Sequence, residues 1–369
     1  MRGKPQAQPD FLTVVNLNQG VPADHPLRAI KGRVDAVLQR LSPLFAALYA
    51  DTGCPSVPPE QLLKARVIIA LYSVRSERLF CEQLTYNLLW LWFLDREFAE
   101  GSFDHSTFSK NYERVLSADV AQLFFAEIYD LARQEGWTSD EHFTADGTLI
   151  ESWASLKSFV RKDGADARKV AAAKDNDPGN PTIDFRGEKR RNDTHQSTTD
   201  PESVLYRKAK GKEAKLCFGA HLLMENRHGL CADFTLHNPI TEPEPDVALQ
   251  QLDAHRKLHQ GVRPTSIGAD KNYHRKDFVG ECRQRQILPH VACKDQVKVP
   301  GLDGRTTGQK SYTISQRIRK RVEEIIGWIK VIGGLRRSRY RGIERTQAWG
   351  YFVAGTYNLL RLARLELAT

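Results

Sequence analysis

The chain has 369 residues, of which 41% are hydrophobic and 27% are charged. This length is enough for one large domain or two, and the composition is typical of a soluble globular protein. The formal net charge is +9 and the pI is about 9.2. A basic surface of this size favours a polyanionic partner, nucleic acid ahead of membrane.

Secretion, disulfide bonding and a membrane span are disfavoured by the sequence. The six cysteines show no C-x-x-C pair and no zinc-finger spacing, which indicates reduced thiols in a cytosolic protein. The first residues, "MRGKPQAQPDFLTVV", lack the apolar core of a signal peptide. The most apolar window, 67–94, is interrupted by Arg75, Glu77, Arg78 and Glu82. We therefore expect a cytoplasmic protein with no membrane partner.

Residues 56–134 are predicted to be helical. We divide the N-terminal part of the chain into a segment over 1–55 and a helical, DNA-binding region over 56–138. Within the second, "EQLLKARVIIALYSV" and "VAQLFFAEIYDLARQEG" have apolar residues at helical spacing. Short helices joined by polar turns are compatible with a helix-turn-helix module and equally with a plain bundle. The tryptophan-rich run "NLLWLWFLD" is predicted to lie in the core.

From about residue 141 the pattern is that of a β-strand. "HFTADGTLI" alternates, and it places Asp146 at the tip of a predicted strand. Residues 161–212 then lose periodicity and contain 13 Lys and Arg residues. Such a composition predicts an exposed, flexible, basic insertion.

Regular elements resume after the insertion. The segments "AKLCFGAHLLME" and "LCADFTLHN" predict a hairpin, and helices and strands then alternate through "EPDVALQQLDAHRKLH", "TSIGAD", "RKDFVGECRQRQ" and "ILPHVAC". Two long helices are predicted over 313–335 and 345–366. This order predicts an α/β fold with a mixed sheet and flanking helices over 139–366. Asp270 ends the strand "TSIGAD", so its carboxylate can meet that of Asp146.

A third acidic residue is available on the helix predicted over 313–335. At 100° per residue, Glu323 lies in one stripe with Arg319 and Lys330. The apolar face beside this stripe consists of Val322, Ile326 and Ile329. Three converging carboxylates hold two Mg²⁺ ions, which activate an attacking oxygen and stabilise the leaving oxygen of a phosphodiester.

The region from 305 to 364 contains 14 Lys and Arg residues against 3 Glu. In "LRRSRYRG" we expect contacts with DNA phosphates. These contacts are assigned to Arg336, Arg337, Arg339 and Arg341. Arg319 and Lys330 are also predicted to contact DNA or to have a structural role near the three acids. For all six residues a solvated basic face is the alternative. Glu151 and Asp277 are the rival acidic residues near Asp146 and Asp270.

Taken together, "TADGT", "GADKNYH" and "RKRVEEIIGWIK" resemble the three motifs of the DDE transposases of bacterial insertion sequences. The third resembles the signature of the insertion-sequence-five family, which reads tyrosine, two residues, arginine, three residues, glutamate, six residues, lysine. Arg319, Glu323 and Lys330 match it, and Gln316 stands at the tyrosine position. "HPLRAI", "PEQLLKARVIIALYSVRSER" and "DHSTFSK" resemble the InsH-type N-terminal domain of the same enzymes.

The resemblance implies an RNase H-like catalytic domain with the triad Asp146, Asp270 and Glu323. It implies two Mg²⁺ ions, with Mn²⁺ as a substitute, and cleavage at terminal inverted repeats followed by strand transfer into target DNA. Synapsis of two DNA ends predicts a homodimer, located at the nucleoid when bound to DNA. A standalone structure-specific nuclease of the same fold and a non-catalytic DNA-binding protein from a decayed element are the alternatives.

Overall fold

The computed structural model describes residues 16–49, 56–162, 190–207, 211, 213–259 and 261–367. The α-helices in these ranges are α1 (Leu17–Gly20), α2 (Pro26–Leu48), α3 (Pro59–Leu71), α4 (Glu77–Leu84), α5 (Leu88–Phe93), α6 (Ser106–Lys110), α7 (Tyr112–Val115), α8 (Ala118–Gln134), α9 (Glu244–Leu258), α10 (Lys276–Gln284), α11 (Gly304–Thr307), α12 (Lys310–Ile318), α13 (Val322–Val331) and α14 (Ile343–Glu366). The strands are β1 (His142–Glu151), β2 (Phe159–Arg161), β3 (His195–Ser197), β4 (Val204–Tyr206), β5 (Lys215–Glu225), β6 (Leu230–His237), β7 (Ser266–Ala269) and β8 (Leu288–Val291).

The central sheet is mixed. Strand β1 pairs antiparallel with β5 on one side and parallel with β7 on the other, and β8 continues the parallel half. The far side of β5 pairs with β6 and, nearer its start, with β4. The strand order is thus β6–β5–β1–β7–β8, and β4 pairs with β5 along the same edge as β6. The predicted α/β class, the hairpin and the alternating helices and strands after it are confirmed.

Strand alternation distributes apolar side chains to the two faces of the sheet. On β1, Ile150 joins a core that contains α13, α14 and the N-terminal helices. Phe143 and Ala145 point to the opposite face and join a second core with α9 and α10. Both faces are therefore covered, as expected for a sheet whose parallel strands are connected by helices.

The N-terminal helices and the sheet share one hydrophobic core. It extends from Leu27 on α2 through the tryptophan-rich α5, which is buried as predicted, to Ala363 on α14. The boundaries predicted at 55 and 138 do not coincide with a break in this core. The sequence-based division has no helix in 1–55, whereas α2 is 23 residues long and buries one stripe of its surface.

The prediction of an exposed insertion over 161–212 is wrong for residues 190–206. Strand β3 pairs with β2, and β4 extends the central sheet. Asp200 is fully buried and accepts hydrogen bonds from the Ser152 hydroxyl at 2.8 Å and from the Gly342 amide at 3.3 Å. Polar composition misled the prediction because this segment packs through side-chain hydrogen bonds and not through an apolar pattern. Residues 163–189, 208–210 and 212 of the predicted insertion lie outside the described residues.

The helix predicted over 313–335 is two helices. A 3₁₀ turn over Arg319–Arg321 separates α12 from α13, and α13 ends at Val331 before two glycines. The sequence gives no local indication of this break between the helices, because residues 309–326 contain neither glycine nor proline. The buried face of α13 consists of Val322, Ile325 and Ile329, with Ile326 half-buried. The predicted apolar side of the helix is confirmed, although the prediction omitted the buried Ile325.

No helix within the described ranges combines the length and the apolar character that crossing a bilayer requires.

Close packing of α14 on β6 supplies a stability test. A methyl group added at Gly350 would lie 2.7 Å from Cδ1 of Phe234, a fully buried ring. We expect Gly350→Ala to lower the free energy of unfolding by about 1–3 kcal/mol, the usual cost of overpacking. Gly280→Ala on α10 meets no atom within 4 Å. This control should raise the free energy of unfolding by about 0.5–1 kcal/mol through helix propensity. Urea denaturation measures both, and equal effects would contradict the packing.

Candidate functional site

Asp146 lies in the middle of β1 and not at a strand tip, which corrects the prediction. Pairing with β5 continues to Glu151, so the strand does not end at the glycine after Asp146. On the other side, β7 pairs only with residues 142–144. Strand β1 therefore extends past the end of β7, and Asp146 lies where this edge of β1 becomes open.

Asp270 follows directly after β7, as predicted. The parallel register pairs Thr144 with Gly268, which brings Asp270 level with Asp146 two residues further on. Asp270 also begins a 3₁₀ turn and accepts a hydrogen bond from the Asn272 amide at 2.7 Å. The strand register and this capping bond together fix the position of the second acid.

The turn that carries Asp270 is anchored by Tyr273. Its ring is fully buried, and its hydroxyl is hydrogen-bonded to Nε2 of His221 on β5. Gln251 donates from Nε2 to the His221 carbonyl at 3.0 Å, so its amide oxygen faces His221 Nδ1 at 2.5 Å. Nδ1 therefore bears the hydrogen and Nε2 accepts from the tyrosine. Burial lowers the pKa of His221 to about 4, so the imidazole is neutral at pH 7.

The third predicted acid, Glu323, is in the first turn of α13 and is exposed. The helix is held against β1 by Lys330, whose Nζ donates to Thr148 Oγ1 at 2.6 Å. Thr148 is two residues from Asp146, so both side chains point to the face that α13 covers. The contact fixes the side of the strand from which Glu323 approaches.

Asp146, Asp270 and Glu323 line one cleft of about 750 Å³. Gly327, one turn after Glu323, also lines it, and Glu324 does not. Within the described ranges, no three His, Cys, Asp or Glu side chains are close enough to hold one ion together. The three acids thus share a cleft without forming a closed ligand set.

Three further charged residues of the cleft were not predicted. Arg275 and Lys294 are exposed at its rim, and Glu244 enters it from the start of α9. Burial raises the pKa of Tyr273, and the charges of Glu244, Asp146 and Asp270 raise it further. In the sequence, Glu244 is indistinguishable from an ordinary acid in the first turn of a helix. Only the tertiary packing brings it to the cleft.

The rival acids have other positions. Glu151 accepts from Lys215 Nζ at 2.5 Å, on the far end of β1. Asp277 is exposed in the first turn of α10. Neither lines the cleft. A separate cavity of about 990 Å³ beside α2 and α5 contains Asp35 and Asp95, but Lys31 and Lys64 pair with both. Those acids are therefore already neutralised.

Arg319 is turned away from the cleft. Its Nε donates to Gln316 Oε1 at 3.0 Å, and Gln316 Nε2 donates to the His290 carbonyl at 2.5 Å. The glutamine at the tyrosine position of the family signature thus ties Arg319 to β8. Neither Arg319 nor Lys330 is among the residues that line the cleft, and their DNA contacts stay a prediction.

The predicted arginine cluster divides between surface and interior. Arg336 and Arg341 are exposed. Arg337 is also exposed, but its guanidinium donates to the carbonyls of Ser152 and Trp153 at 3.1 and 2.8 Å. None of these three lines the cleft, and their phosphate contacts stay a prediction.

Arg339 is a structural residue, which corrects its prediction as a DNA contact. Its Nη1 donates to the Val74 carbonyl at 3.0 Å, and its guanidinium lies over the Trp349 ring, 5.1 Å from the centroid. Burial lowers its pKa. The side chain joins the loop after α3 to α14, because Tyr340 and its neighbours fold back onto the helical core.

The cleft suits a hard divalent cation by its donor chemistry. Carboxylate side chains from β1, α9, the turn after β7 and α13 line it, and Mg²⁺ takes oxygen ligands and retains several waters. A closed cage of protein ligands is not needed for such an ion. The residues present therefore fit the metal ions implied by the family resemblance.

Two family models match the chain. One, described as "Transposase domain (DUF772)", matches residues 15–114, and the other, described as "Transposase DDE domain", matches residues 186–359. The second match includes Asp270 and Glu323, and Asp146 precedes it. No curated protein matches the chain.

Solved structures of transposases resemble this chain, with low sequence identity and low TM-scores. The piggyBac transposase synaptic complex with hairpin DNA has 10% identity and a TM-score of 0.41, and the match covers 93% of this chain and 76% of that chain. The Mos1 Strand Transfer Complex has 9% identity and a TM-score of 0.22, and the match covers 86% of this chain and 81% of that chain. These scores are too low to carry an argument about the fold.

The assignment rests on the family models and on the geometry of the sheet. The order β6–β5–β1–β7–β8, with one acid on β1 and one after β7, is the RNase H-like arrangement expected of a transposase DDE domain. Such domains depend on divalent metal ions. The chain belongs to the DDE transposases, enzymes that bind DNA, cleave it and transfer its strands.

Proposed function

We propose that this transposase cleaves DNA at the terminal inverted repeats of an insertion sequence and joins the ends to target DNA. Asp146, Asp270 and Glu323 hold two Mg²⁺ ions, which Mn²⁺ can replace. The observation that carries the proposal is that these three acids, 53 to 177 positions apart in the sequence, line a single cleft. An assay with inverted-repeat DNA tests it: cleavage and joining in Mg²⁺, and their loss in EDTA, are the expected results.

When bound, divalent ions activate the attacking oxygen and stabilise the leaving oxygen of the phosphodiester. The chain positions the acids for this purpose through two contacts. The Lys330–Thr148 hydrogen bond holds α13 on β1 and so sets Glu323 relative to Asp146. The Tyr273–His221 hydrogen bond ties the turn of Asp270 to β5. Both contacts fix the elements that carry the acids, and neither contact involves a carboxylate of the triad.

Arg275 and Lys294 supply positive charge at the rim of the cleft. Both side chains are exposed, and they follow the ends of β7 and β8 next to Asp270. A guanidinium and an ammonium group here suit the phosphates on either side of the reacting bond. We assign DNA contacts in the cleft to these two residues, and contacts outside it to Arg336, Arg337 and Arg341.

Two copies of the chain are needed if two DNA ends react in one complex, so we propose a homodimer that acts on DNA in the cytoplasm. Light scattering with and without inverted-repeat DNA tests the stoichiometry. A standalone nuclease is the second candidate, and it would cleave the same DNA without joining it to a target. A DNA-binding protein from a decayed element would bind without cleaving.

Glu323 and its neighbour Glu324 provide a matched pair of variants. Adjacent residues on a helix point 100° apart, and only Glu323 lines the cleft. We expect Glu323→Gln to abolish cleavage in Mg²⁺ and Glu324→Gln to retain most of it. A cleavage assay with inverted-repeat DNA compares them. The opposite result would overturn the placement of α13 and the triad together.

Tyr273 is expected to act as a positioning residue. Tyr273→Phe keeps the buried ring but removes the hydroxyl that is bonded to His221. The turn carrying Asp270 then loses its tether, so we expect kcat to fall about tenfold with little change in KM for DNA. Tyr86→Phe alters an exposed ring and should have no effect. If Tyr273→Phe instead raised KM and left kcat unchanged, the hydroxyl would have a role in binding DNA.

The assignment of Arg275 and Lys294 predicts a change in salt dependence. Arg275→Gln and Lys294→Gln should each weaken DNA binding uniformly across sequences and reduce the slope of log K against log salt by about 1. Arg256→Gln removes an exposed charge near the other end of α9 and serves as control. Fluorescence anisotropy at several salt concentrations measures the slopes. Equal slopes for all three variants would contradict the assignment.

A further inference from the structure

Glu244 lies over the glycine that follows Asp146. A methyl group added at Gly147 would lie 2.6 Å from Cδ of Glu244 and closer still to its Oε1. Gly147 does not have a positive φ, so its backbone does not require glycine. The missing side chain instead leaves room for a carboxylate against β1. Because side chains alternate along a strand, Glu244 approaches from the face opposite to that of Asp146.

The position of Glu244 is fixed by the loop before α9. Within this loop His237 Nδ1 donates to the carbonyl of Glu242 at 3.0 Å, and the Asn238 amide donates to the Glu242 carboxylate at 2.9 Å. Pro243 and Pro245 then restrict the backbone on both sides of Glu244. The carboxylate is therefore delivered to the cleft by a constrained segment.

The charge of Glu244 acts on the same buried phenol as the charges of Asp146 and Asp270. After burial, the charge of Glu244 is the largest cause that raises the pKa of Tyr273, ahead of Asp146 and Asp270. The phenol hydroxyl is thus within electrostatic range of three carboxylates, which arrive from three different elements. Like charges gathered in this way repel one another, and a bound cation offsets that repulsion.

We infer that Glu244 is a fourth carboxylate of the site and binds a hydrated divalent cation together with Asp146, from the opposite face of β1. The inference rests on the proposed function, since it places the cation at Asp146. It adds an acid that the three transposase motifs do not contain. Glu244 acts here as a cation ligand, directly or through a water of the ion.

Binding of Mn²⁺ tests this without DNA and without turnover. The electron paramagnetic resonance signal of free Mn²⁺, titrated with protein, gives the affinity and the number of ions. We expect Glu244→Gln to weaken the binding about tenfold. Asp246→Asn removes an exposed acid from the same helical turn and should leave it unchanged. Thermal unfolding of each variant checks that the fold is intact.

The variant Asp146→Asn distinguishes the hypothesis about Glu244 from the proposed metal site as a whole. If it weakens Mn²⁺ binding and Glu244→Gln does not, the role of Glu244 is wrong and the proposed site stands. If neither variant alters Mn²⁺ binding, the proposed metal site fails as well. Equal losses of Mn²⁺ affinity in Glu244→Gln and Asp246→Asn would show that any nearby negative charge has the same effect. That result would overturn the inference.

Gly147→Ala adds a geometric test. In the natural chain the new methyl group displaces the Glu244 carboxylate, so Mn²⁺ affinity should fall about as far as in Glu244→Gln. In a Glu244→Ala background the methyl group has room, and Gly147→Ala should cause no further loss. Additive losses in the double variant would show that Gly147 acts independently of Glu244, which contradicts the proposed arrangement.

Discussion

The parallel pairing of β7 with the first residues of β1 is the constraint on which the site depends. It brings Asp270 level with Asp146, although 123 residues separate them in the sequence. Because β7 ends at Ala269 while β1 continues to Glu151, an open edge remains beside Asp146. The cleft forms at this edge, and the segments after β7 and β8 supply its two basic residues, Arg275 and Lys294. A shift of one residue in this register would turn Asp270 to the other face of the sheet.

The second requirement is a rigid support for α13, which presents Glu323. The apolar side of α13 packs in the core that joins the N-terminal helices to α14 and one face of the sheet. Helix α14 is buried on nearly every side and contacts α8, β6, α2 and α3. A helix apolar all round is expected where it runs through the middle of a large core. The N-terminal helices thus contribute to the position of Glu323, which is more than 180 residues away in the sequence.

Charge is distributed according to the same architecture. Acidic residues occupy the cleft, whereas exposed cations stand at its rim and on the loop between α13 and α14. Such a separation suits a polyanion that is bound by its phosphates and cleaved at one of them. Not every arginine of a basic run takes part: Arg339 holds the interior together through Val74 and Trp349. Exposure decides between these roles, and a linear pattern of basic residues does not reveal exposure.

The sequence by itself determined the elements with strong periodicity and the acids that end or interrupt them. The hairpin, α9, α10, α14 and the apolar face of α13 follow from local patterns of 2.0 and 3.6 residues. Tertiary structure alone decided the rest. The packing of 190–206, the inward turn of Arg339 and the approach of Glu244 to Gly147 depend on contacts between residues distant in sequence. Periodicity records which face of an element is buried, but it does not record what that face meets.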